Sequence, residues 1–202
     1  MKEVYRYNFA YFTRQRQKLM LKKSFIALSI LTSLFFSACS DDDDANSLLS
    51  TNEFALKELS GKEYIIQKAK NGFQLKTEQS KIIILDIFAT WCPPCQAEAS
   101  HLSRLQERYQ DDVTIIGITI EDDLNNTKLQ DFRIDFDAQY PLANSSENRR
   151  IIDAVANNLE IGRNFGIPLM AMYKDGELIN YYQGATEEEF IESDIKKALG
   201  LQ

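Results

Sequence analysis

The sequence contains few of the residues that build metal centres or cross-link a chain. Three cysteines and one histidine, His101, occur among its 202 residues. A metal site that used His101 would find no second histidine to complete it, so we interpret His101 as an ordinary helix residue. With so few cysteines, a core drawn from the 44% hydrophobic residues, and not a cross-linked framework, must hold the fold together. The length fits one domain with appendages.

Long apolar runs are also scarce. The longest covers residues 25–36, which is shorter than the roughly 20 residues that a membrane-spanning helix needs. Lys22 and Lys23 precede this run and small residues follow it, which is the pattern of a secretory signal peptide. We therefore predict that residues 1–38 are a signal peptide. Met20 is an alternative start, and an uncleaved membrane anchor is the alternative interpretation.

The predicted signal peptide ends in the sequence FSAC at residues 36–39, which resembles a bacterial lipobox. The resemblance implies that Cys39 is lipidated and becomes the mature N-terminus. Four consecutive aspartates at residues 41–44 repel one another, so residues 39–55 are predicted to form an acidic, solvated tether. Metal binding by the aspartates is one alternative, and a signal for export to the cell surface is another.

The predicted mature protein has no excess of positive charge. Without residues 1–38, 16 Lys and Arg residues stand against 29 Asp and Glu residues, a net charge of −13. Such a balance excludes binding to nucleic acid or to anionic lipid through charge alone. Acyl chains on Cys39 would therefore provide the attachment to a membrane.

Residues 91–95, with the sequence WCPPC, are the most informative segment that is present. They follow an apolar run at 82–88, which predicts a buried central strand, and precede a helical pattern that ends near Tyr109. The N–H groups and dipole of a helix N-terminus stabilise a thiolate, and this spacing places the second sulfur within disulfide reach of the first. The segment therefore predicts thiol–disulfide exchange. A zinc site and a static disulfide are the alternatives.

Residues 86–95 resemble the active-site segment of the thioredoxin superfamily, and the sequence TWCPPC at 90–95 is closest to its membrane-tethered, extracytoplasmic TlpA/ResA branch. Residues 166–177 resemble the cis-proline strand and following hairpin of the same superfamily. The resemblance covers residues 56–199. It implies a thioredoxin-like α/β fold for residues 56–202, with a central mixed β-sheet flanked by helices.

Further elements are predicted around this framework. A two-residue turn at Asn71-Gly72 predicts an N-terminal β-hairpin. Residues 122–146 form a longer connection than thioredoxin needs, where TlpA/ResA-type proteins carry a mid-domain insertion. Apolar spacing predicts helices over 93–109, 124–136 and 147–159. A last helix is predicted to start at Thr186, which would cap it together with Glu189.

The resemblance assigns different tasks to the two cysteines. It implies that Cys92 is the partly exposed nucleophile, and that the more buried Cys95 resolves the mixed disulfide. Pro93 and Pro94 carry no N–H, so two amides that could point at the Cys92 sulfur are missing. We expect these prolines to adjust the redox balance. A less stabilised thiolate makes the disulfide form relatively more stable, which favours a protein that donates electrons.

Asp86 is a carboxylate in the middle of the apolar run 82–88. Burial should raise its pKa and leave a proton acceptor poised near neutrality. We therefore predict that Asp86 takes the proton from Cys95, with a purely structural carboxyl as the alternative. Thioredoxin has a buried Asp at this place, whereas many TlpA/ResA-type relatives carry an amide.

The resemblance also implies a substrate-binding surface. It places a cis peptide bond between Ile167 and Pro168 beside the cysteines, where the backbone before the proline pairs with substrate like a strand edge. Trp91 would add a flat contact surface, and core packing is the alternative for these residues. Asp122 and Asp123 follow the strand predicted at 113–120, where binding loops gather.

These features together predict an extracytoplasmic thiol–disulfide oxidoreductase that reduces disulfides of exported proteins, with maturation of cytochrome c as one candidate process. It would be lipid-anchored in the bacterial cell envelope, facing the periplasm or exposed at the surface. A membrane thiol–disulfide electron donor would reduce it, and no cofactor and no metal are expected. One alternative is an oxidase or isomerase that makes disulfides. Another is a metal-delivery protein that holds copper or zinc on the cysteine pair.

Overall fold

The computed structural model describes residues 52–77 and 80–201. Eight strands and four helices lie within them. The strands are β1 (Glu53–Lys57), β2 (Glu63–Lys68), β3 (Phe73–Leu75), β4 (Ile82–Phe88), β5 (Val113–Thr119), β6 (Leu142–Ala143), β7 (Leu169–Lys174) and β8 (Glu177–Gln183). The helices are α1 (Pro93–Arg108), α2 (Asn126–Asp135), α3 (Asn148–Asn158) and α4 (Glu188–Leu199).

The predicted signal peptide, Cys39 and most of the predicted tether lie outside the described residues. The first strand begins at Glu53, three residues before the predicted start of the domain at residue 56. It begins there because Phe54 already buries its ring in the core.

The central sheet has five strands in the order β6-β5-β4-β7-β8. β4 runs parallel to β5 and antiparallel to β7, so the sheet is mixed, as predicted. Every residue of β4 and β5 is buried, because other elements cover both faces of the sheet. The two strands end at the same edge of the sheet, and the segment that follows β4 lies at that edge.

Alternate residues of β4 face two different hydrophobic clusters. Ile84 belongs to the cluster that contains Leu102 of α1, whereas Ile83 belongs to the cluster that contains Ile151 of α3. Two residues beyond Ile84, Asp86 lies on the side of the sheet that α1 covers. The strand therefore directs a carboxyl group toward the helix that begins with the cysteine pair.

A second, three-stranded antiparallel sheet is formed by β1, β2 and β3. It contains the predicted hairpin, but the turn is longer than two residues, because β2 ends at Lys68 and β3 begins at Phe73. The Ala69 N–H donates to the Gly72 carbonyl at 2.8 Å. A Cβ on Gly72 would lie 2.6 Å from the ring of Tyr173, so only glycine allows this turn to approach the central sheet.

The inserted segment 122–146 contains α2 and β6. β6 pairs in parallel with β5 and forms one edge of the central sheet. The helices predicted over 124–136 and 147–159 are confirmed as α2 and α3, with ends that differ by one or two residues. No helix in residues 52–77 and 80–201 has the length and apolar character that crossing a bilayer requires.

The predicted cap of the last helix is wrong. The N-cap of α4 is Glu187, and no side-chain hydrogen bond caps the helix. The backbone N–H of Thr186 instead donates to Glu98 Oε1 of α1 at 2.9 Å. A tertiary hydrogen bond to a buried carboxyl thus takes precedence over the local capping box, and α4 starts one residue later than the sequence indicates.

Candidate active site

The cysteine pair lies where the chain passes from β4 into α1. Cys92 is the N-cap of α1, and Pro93 and Pro94 follow it at the first two helical positions. Cys92 and Cys95 form a disulfide with their Cα atoms 5.3 Å apart. The Cys95 N–H lies 3.4 Å from Cys92 Sγ. Because the two prolines have no N–H, the Cys95 amide is the first in the helix that can point at this sulfur.

Both cysteines are buried in the disulfide form. Cys92 is 3% exposed and Cys95 is 4% exposed, so the expected difference between a partly exposed nucleophile and a buried partner is absent in this state. Trp91, in contrast, is 63% exposed. The accessible surface next to the pair is therefore supplied by Trp91 and the exposed prolines Pro93 and Pro94, and not by the sulfur atoms.

The second predicted motif lies beside the first. The peptide bond between Ile167 and Pro168 is cis, as predicted. The Ile167 carbonyl oxygen lies 3.8 Å from Cys92 Sγ. Pro168 is buried and directly precedes β7, the antiparallel neighbour of β4. Two segments 75 residues apart in the sequence thus meet at the Cys92 sulfur, where the Ile167 carbonyl oxygen lies next to it.

Asp86 lies on the side of the sheet that α1 covers, with 2% of its surface exposed. Its Oδ2 accepts a hydrogen bond from the Tyr140 hydroxyl at 3.0 Å, and its Oδ1 has no partner among the described residues. Burial raises the pKa of Asp86 to about 7, although the Tyr140 hydrogen bond opposes the shift. The carboxyl therefore has the raised pKa that the sequence predicted.

Glu98 is a second buried carboxyl that the sequence analysis missed. It is 2% exposed, and its Oε2 has no partner among the described residues. Burial raises the pKa of Glu98 to about 8, with a further increase from the negative charge of Asp86, while the Thr186 N–H opposes the shift. A signal was available, because Glu98 follows Cys95 by three positions, and residues three apart share one face of a helix.

A third acid, Glu121, holds the loop before the cysteines. Its Oε2 accepts the Thr90 N–H at 2.7 Å and its Oε1 accepts the Thr90 hydroxyl at 3.0 Å. Gln96 of α1 donates to the Thr90 carbonyl at 2.7 Å. The sequence pointed to Asp122 and Asp123 as the acids of the binding loop, but both are exposed, and Asp122 pairs with a surface arginine.

This arrangement suits the exchange of a disulfide for two thiols. The helix start presents an amide to one sulfur, and two buried carboxyls with raised pKa values lie close enough for Asp86 to affect Glu98 electrostatically. In residues 52–77 and 80–201, no three His, Cys, Asp or Glu side chains are grouped so that they could hold a metal ion.

Sulfur chemistry of this kind, at this position of a mixed sheet, is that of the thioredoxin-like thiol–disulfide oxidoreductases, and known proteins that resemble the chain agree with this class. The chain belongs to the Redoxin family, whose profile matches residues 45–199. It is 27% identical over 128 residues to the thiol-disulfide oxidoreductase ResA of Bacillus thuringiensis. The aligned residues make up 61% of this chain and 67% of that protein. It is 28% identical over 91 residues to the thioredoxin-like protein YneN of Bacillus subtilis, which covers 45% and 48%.

Solved structures of the same type share the fold. The thiol:disulfide interchange protein of Chlorobium tepidum has a TM-score of 0.58 at 21% identity, with 74% of this chain and 94% of that chain covered. StoA from Bacillus subtilis has a TM-score of 0.52 at 17% identity, with 71% and 96% covered. At these identities the structures establish the thioredoxin-like fold alone. The Redoxin match and the similarity to ResA and YneN, taken together with this fold, confirm the resemblance to the TlpA/ResA branch.

Replacing Asp86 with Asn should stabilise the oxidised protein at pH 8 and have little effect at pH 4. The pKa of about 7 lies above the value near 4 of an unfolded Asp, so the native state holds an extra proton between these values and stability falls as the pH rises through them. The amide avoids this loss, on the order of 4 kcal/mol at pH 8 for a shift of about three pKa units. Urea unfolding at both pH values measures the difference, and an equal effect at the two would contradict the assignment.

Replacing Glu121 with Ala should loosen the loop that precedes the cysteines. The change leaves the Thr90 N–H without its acceptor, a loss of about 1.5–3 kcal/mol for a hydrogen bond to a charged group. We expect faster hydrogen exchange at the Thr90 amide and slower disulfide reduction. Asp122→Ala, at the exposed neighbour, is the matched control. Equal behaviour of the two variants would show that Glu121 has no special part.

Proposed function

We propose that the protein is an extracytoplasmic protein-disulfide reductase that delivers electrons to oxidised cysteines of exported proteins. The observation that supports this direction of electron transfer is the small number of backbone amides near Cys92 Sγ. One helix amide, that of Cys95, lies near this sulfur, and prolines replace the two that precede it. Weak stabilisation of the thiolate makes the dithiol the less favoured form, and such a protein gives up its electrons readily.

In the proposed reaction, the Cys92 thiolate attacks a substrate disulfide and forms a mixed disulfide while one substrate sulfur leaves as a thiolate. Cys95 then attacks Cys92 Sγ, the mixed disulfide breaks, and the second substrate sulfur leaves. Two electrons have passed from the dithiol to the substrate. A membrane thiol–disulfide donor would restore the dithiol of this protein.

Cys95 must lose its proton before it attacks, and we assign that proton to Asp86. A carboxyl with a pKa of about 7 is ionised often enough at neutral pH to accept a proton and returns it easily. Glu98, on the same helix face as Cys95, is a second acceptor in this proposal. Because both groups are buried, little bulk water competes for the proton.

The substrate would bind across Trp91 and the segment before Pro168. The Ile167 carbonyl, 3.8 Å from Cys92 Sγ, is placed to accept a backbone hydrogen bond from an extended peptide whose own sulfur faces Cys92. The exposed indole of Trp91 would cover the other side of that peptide. Both contacts can be made to the backbone of the bound peptide, which all polypeptides share. This suits a reductant with several substrates.

We further propose that residues 1–38 direct export, that Cys39 carries the lipid, and that residues 39–55 act as the tether in the bacterial cell envelope. The names of two relatives support an interchange role, ResA from Bacillus thuringiensis and the thiol:disulfide interchange protein DsbE from Pasteurella multocida. The latter is 49% identical over 45 residues, 22% of this chain and 23% of that protein. Apocytochrome c, with its Cys-x-x-Cys-His site, is one candidate substrate.

Equilibration with glutathione should give a reduction potential below about −150 mV, nearer to thioredoxin than to the oxidant DsbA. The reason is the weakly stabilised Cys92 thiolate. The purified domain should also reduce insulin. A higher potential would favour an oxidase or isomerase, and stoichiometric copper or zinc on the reduced protein would favour metal delivery.

The variant Cys95→Ser should accumulate mixed disulfides with the physiological substrates, because the resolving sulfur is absent. Cys92→Ser should trap nothing, and it is the matched control.

With an intact cysteine pair, Asp86→Asn should slow the release of a model mixed disulfide at pH 7 by roughly tenfold or more, as for the loss of a general base. Stopped-flow measurement of release decides this, and an unchanged rate would remove Asp86 from the reaction.

A further inference from the structure

Among the described residues, the Asp86 carboxyl has one side-chain hydrogen bond, and its donor is a residue that is distant in the sequence. The Tyr140 hydroxyl donates to Asp86 Oδ2 at 3.0 Å, and both residues are buried. Oδ1 has no partner among the described residues. Tyr140 lies in the inserted segment between α2 and β6, 54 residues away in the sequence. One phenol thus provides the hydrogen bond that the Asp86 carboxyl receives among the described residues.

The fold leaves a defined space for this phenol. Asp86 of β4 lies opposite Gly117 of β5 in the register of the two strands. A Cβ on Gly117 would lie 3.0 Å from Cε2 of Tyr140, so a side chain there would press on the ring. The Gly117 N–H also donates to the Pro141 carbonyl at 2.8 Å. Arg133 donates to the Tyr140 carbonyl at 3.3 Å, so hydrogen bonds hold two successive carbonyls, those of Tyr140 and Pro141.

We propose that Tyr140 is a positioning residue for the resolving step, whose hydroxyl fixes the orientation of the Asp86 carboxyl and favours its ionised form. The inference rests on the proposed function, because it assigns a task to Tyr140 through Asp86. Tyr140 touches neither substrate nor sulfur in this scheme. It acts by donating one hydrogen bond to the carboxylate before the proton of Cys95 arrives.

The ionisable groups around Tyr140 support the role of a permanent donor. Burial raises the pKa of Tyr140 well above 10, with further increases from the charges of Asp86 on β4 and Glu98 on α1. Arg133 of α2 opposes these increases. The phenol therefore keeps its proton across the working pH range. The proton of Cys95 passes to Asp86 and returns from there, while the hydroxyl proton stays on Tyr140.

A hydrogen bond to the charged form of an acid lowers its pKa, and here the Tyr140 hydroxyl limits the increase that burial causes. Without the hydroxyl, Asp86 would be protonated over more of the neutral range and could accept a proton from Cys95 only at higher pH. The hydroxyl thus adjusts the pH at which the resolving step becomes fast.

The test is Tyr140→Phe, which removes the oxygen and keeps the ring in its space. The carboxyl carbon of Asp86, followed by NMR in the oxidised protein, should titrate about one pH unit higher than in the parent protein. The pH midpoint of mixed-disulfide release should move upward by the same amount. Tyr173→Phe is the matched control. Tyr173 belongs to the other hydrophobic cluster, and its hydroxyl donates to Asn158 and not to Asp86. It should leave both midpoints unchanged.

The two measurements separate this inference from the proposed function. An unmoved Asp86 titration in Tyr140→Phe overturns the role of Tyr140, whatever the reaction does. A moved titration with an unmoved release midpoint overturns the positioning role in the resolving step. If Asp86→Asn alone leaves release unchanged, the proposed proton acceptor fails. In the Asp86→Asn background, Tyr140→Phe should have no further effect on release, and an undiminished effect would show that the tyrosine acts on another group.

Discussion

The burial of two neighbouring carboxyl groups, on β4 and on the helix that begins with the cysteine pair, is the constraint on which the site depends. Asp86 and Glu98 each keep one hydrogen bond and one oxygen without a partner among the described residues. Burial makes each group hold its proton toward neutral pH, where a thiol must lose its own. The same burial makes ionisation unfavourable for the folded state, so both carboxyls lower the stability of the domain as the pH rises through their pKa values. An exposed carboxyl would lack this raised pKa, because water would solvate its charged form.

The elements around the carboxyls are arranged to make this burial tolerable. β4 carries Asp86, α1 carries Glu98, the insertion supplies the Tyr140 hydroxyl, and the chain before α4 supplies the Thr186 N–H. Each donor comes from a different part of the chain, so neither carboxyl is satisfied until the whole domain has folded. The active site is consequently a property of the tertiary structure, although its sulfur atoms lie within four consecutive residues.

Local patterns predicted the buried strands and the helix that begins at the cysteine pair, and the resemblance carried by two short motifs implied the fold and the cis peptide bond. They failed where distant contacts decide. Thr186 is a fitting N-cap in the sequence, yet a carboxyl on another helix engages its amide. Glu121, Asp122 and Asp123 are adjacent acids, and only the structure shows that Glu121 is the one that holds the Thr90 loop. Glu98 could have been found from its helical spacing, whereas nothing near Tyr140 in the sequence reveals its contact with Asp86.

Pro93 and Pro94 are both exposed, although they lie between two buried sulfur atoms. Substitutions at these two positions can add amides near Cys92 without disturbing any packed side chain. Electron affinity and folding are therefore separable traits in this domain. Evolution can retune the redox properties of the cysteine pair at two surface positions, with the interior inherited unchanged.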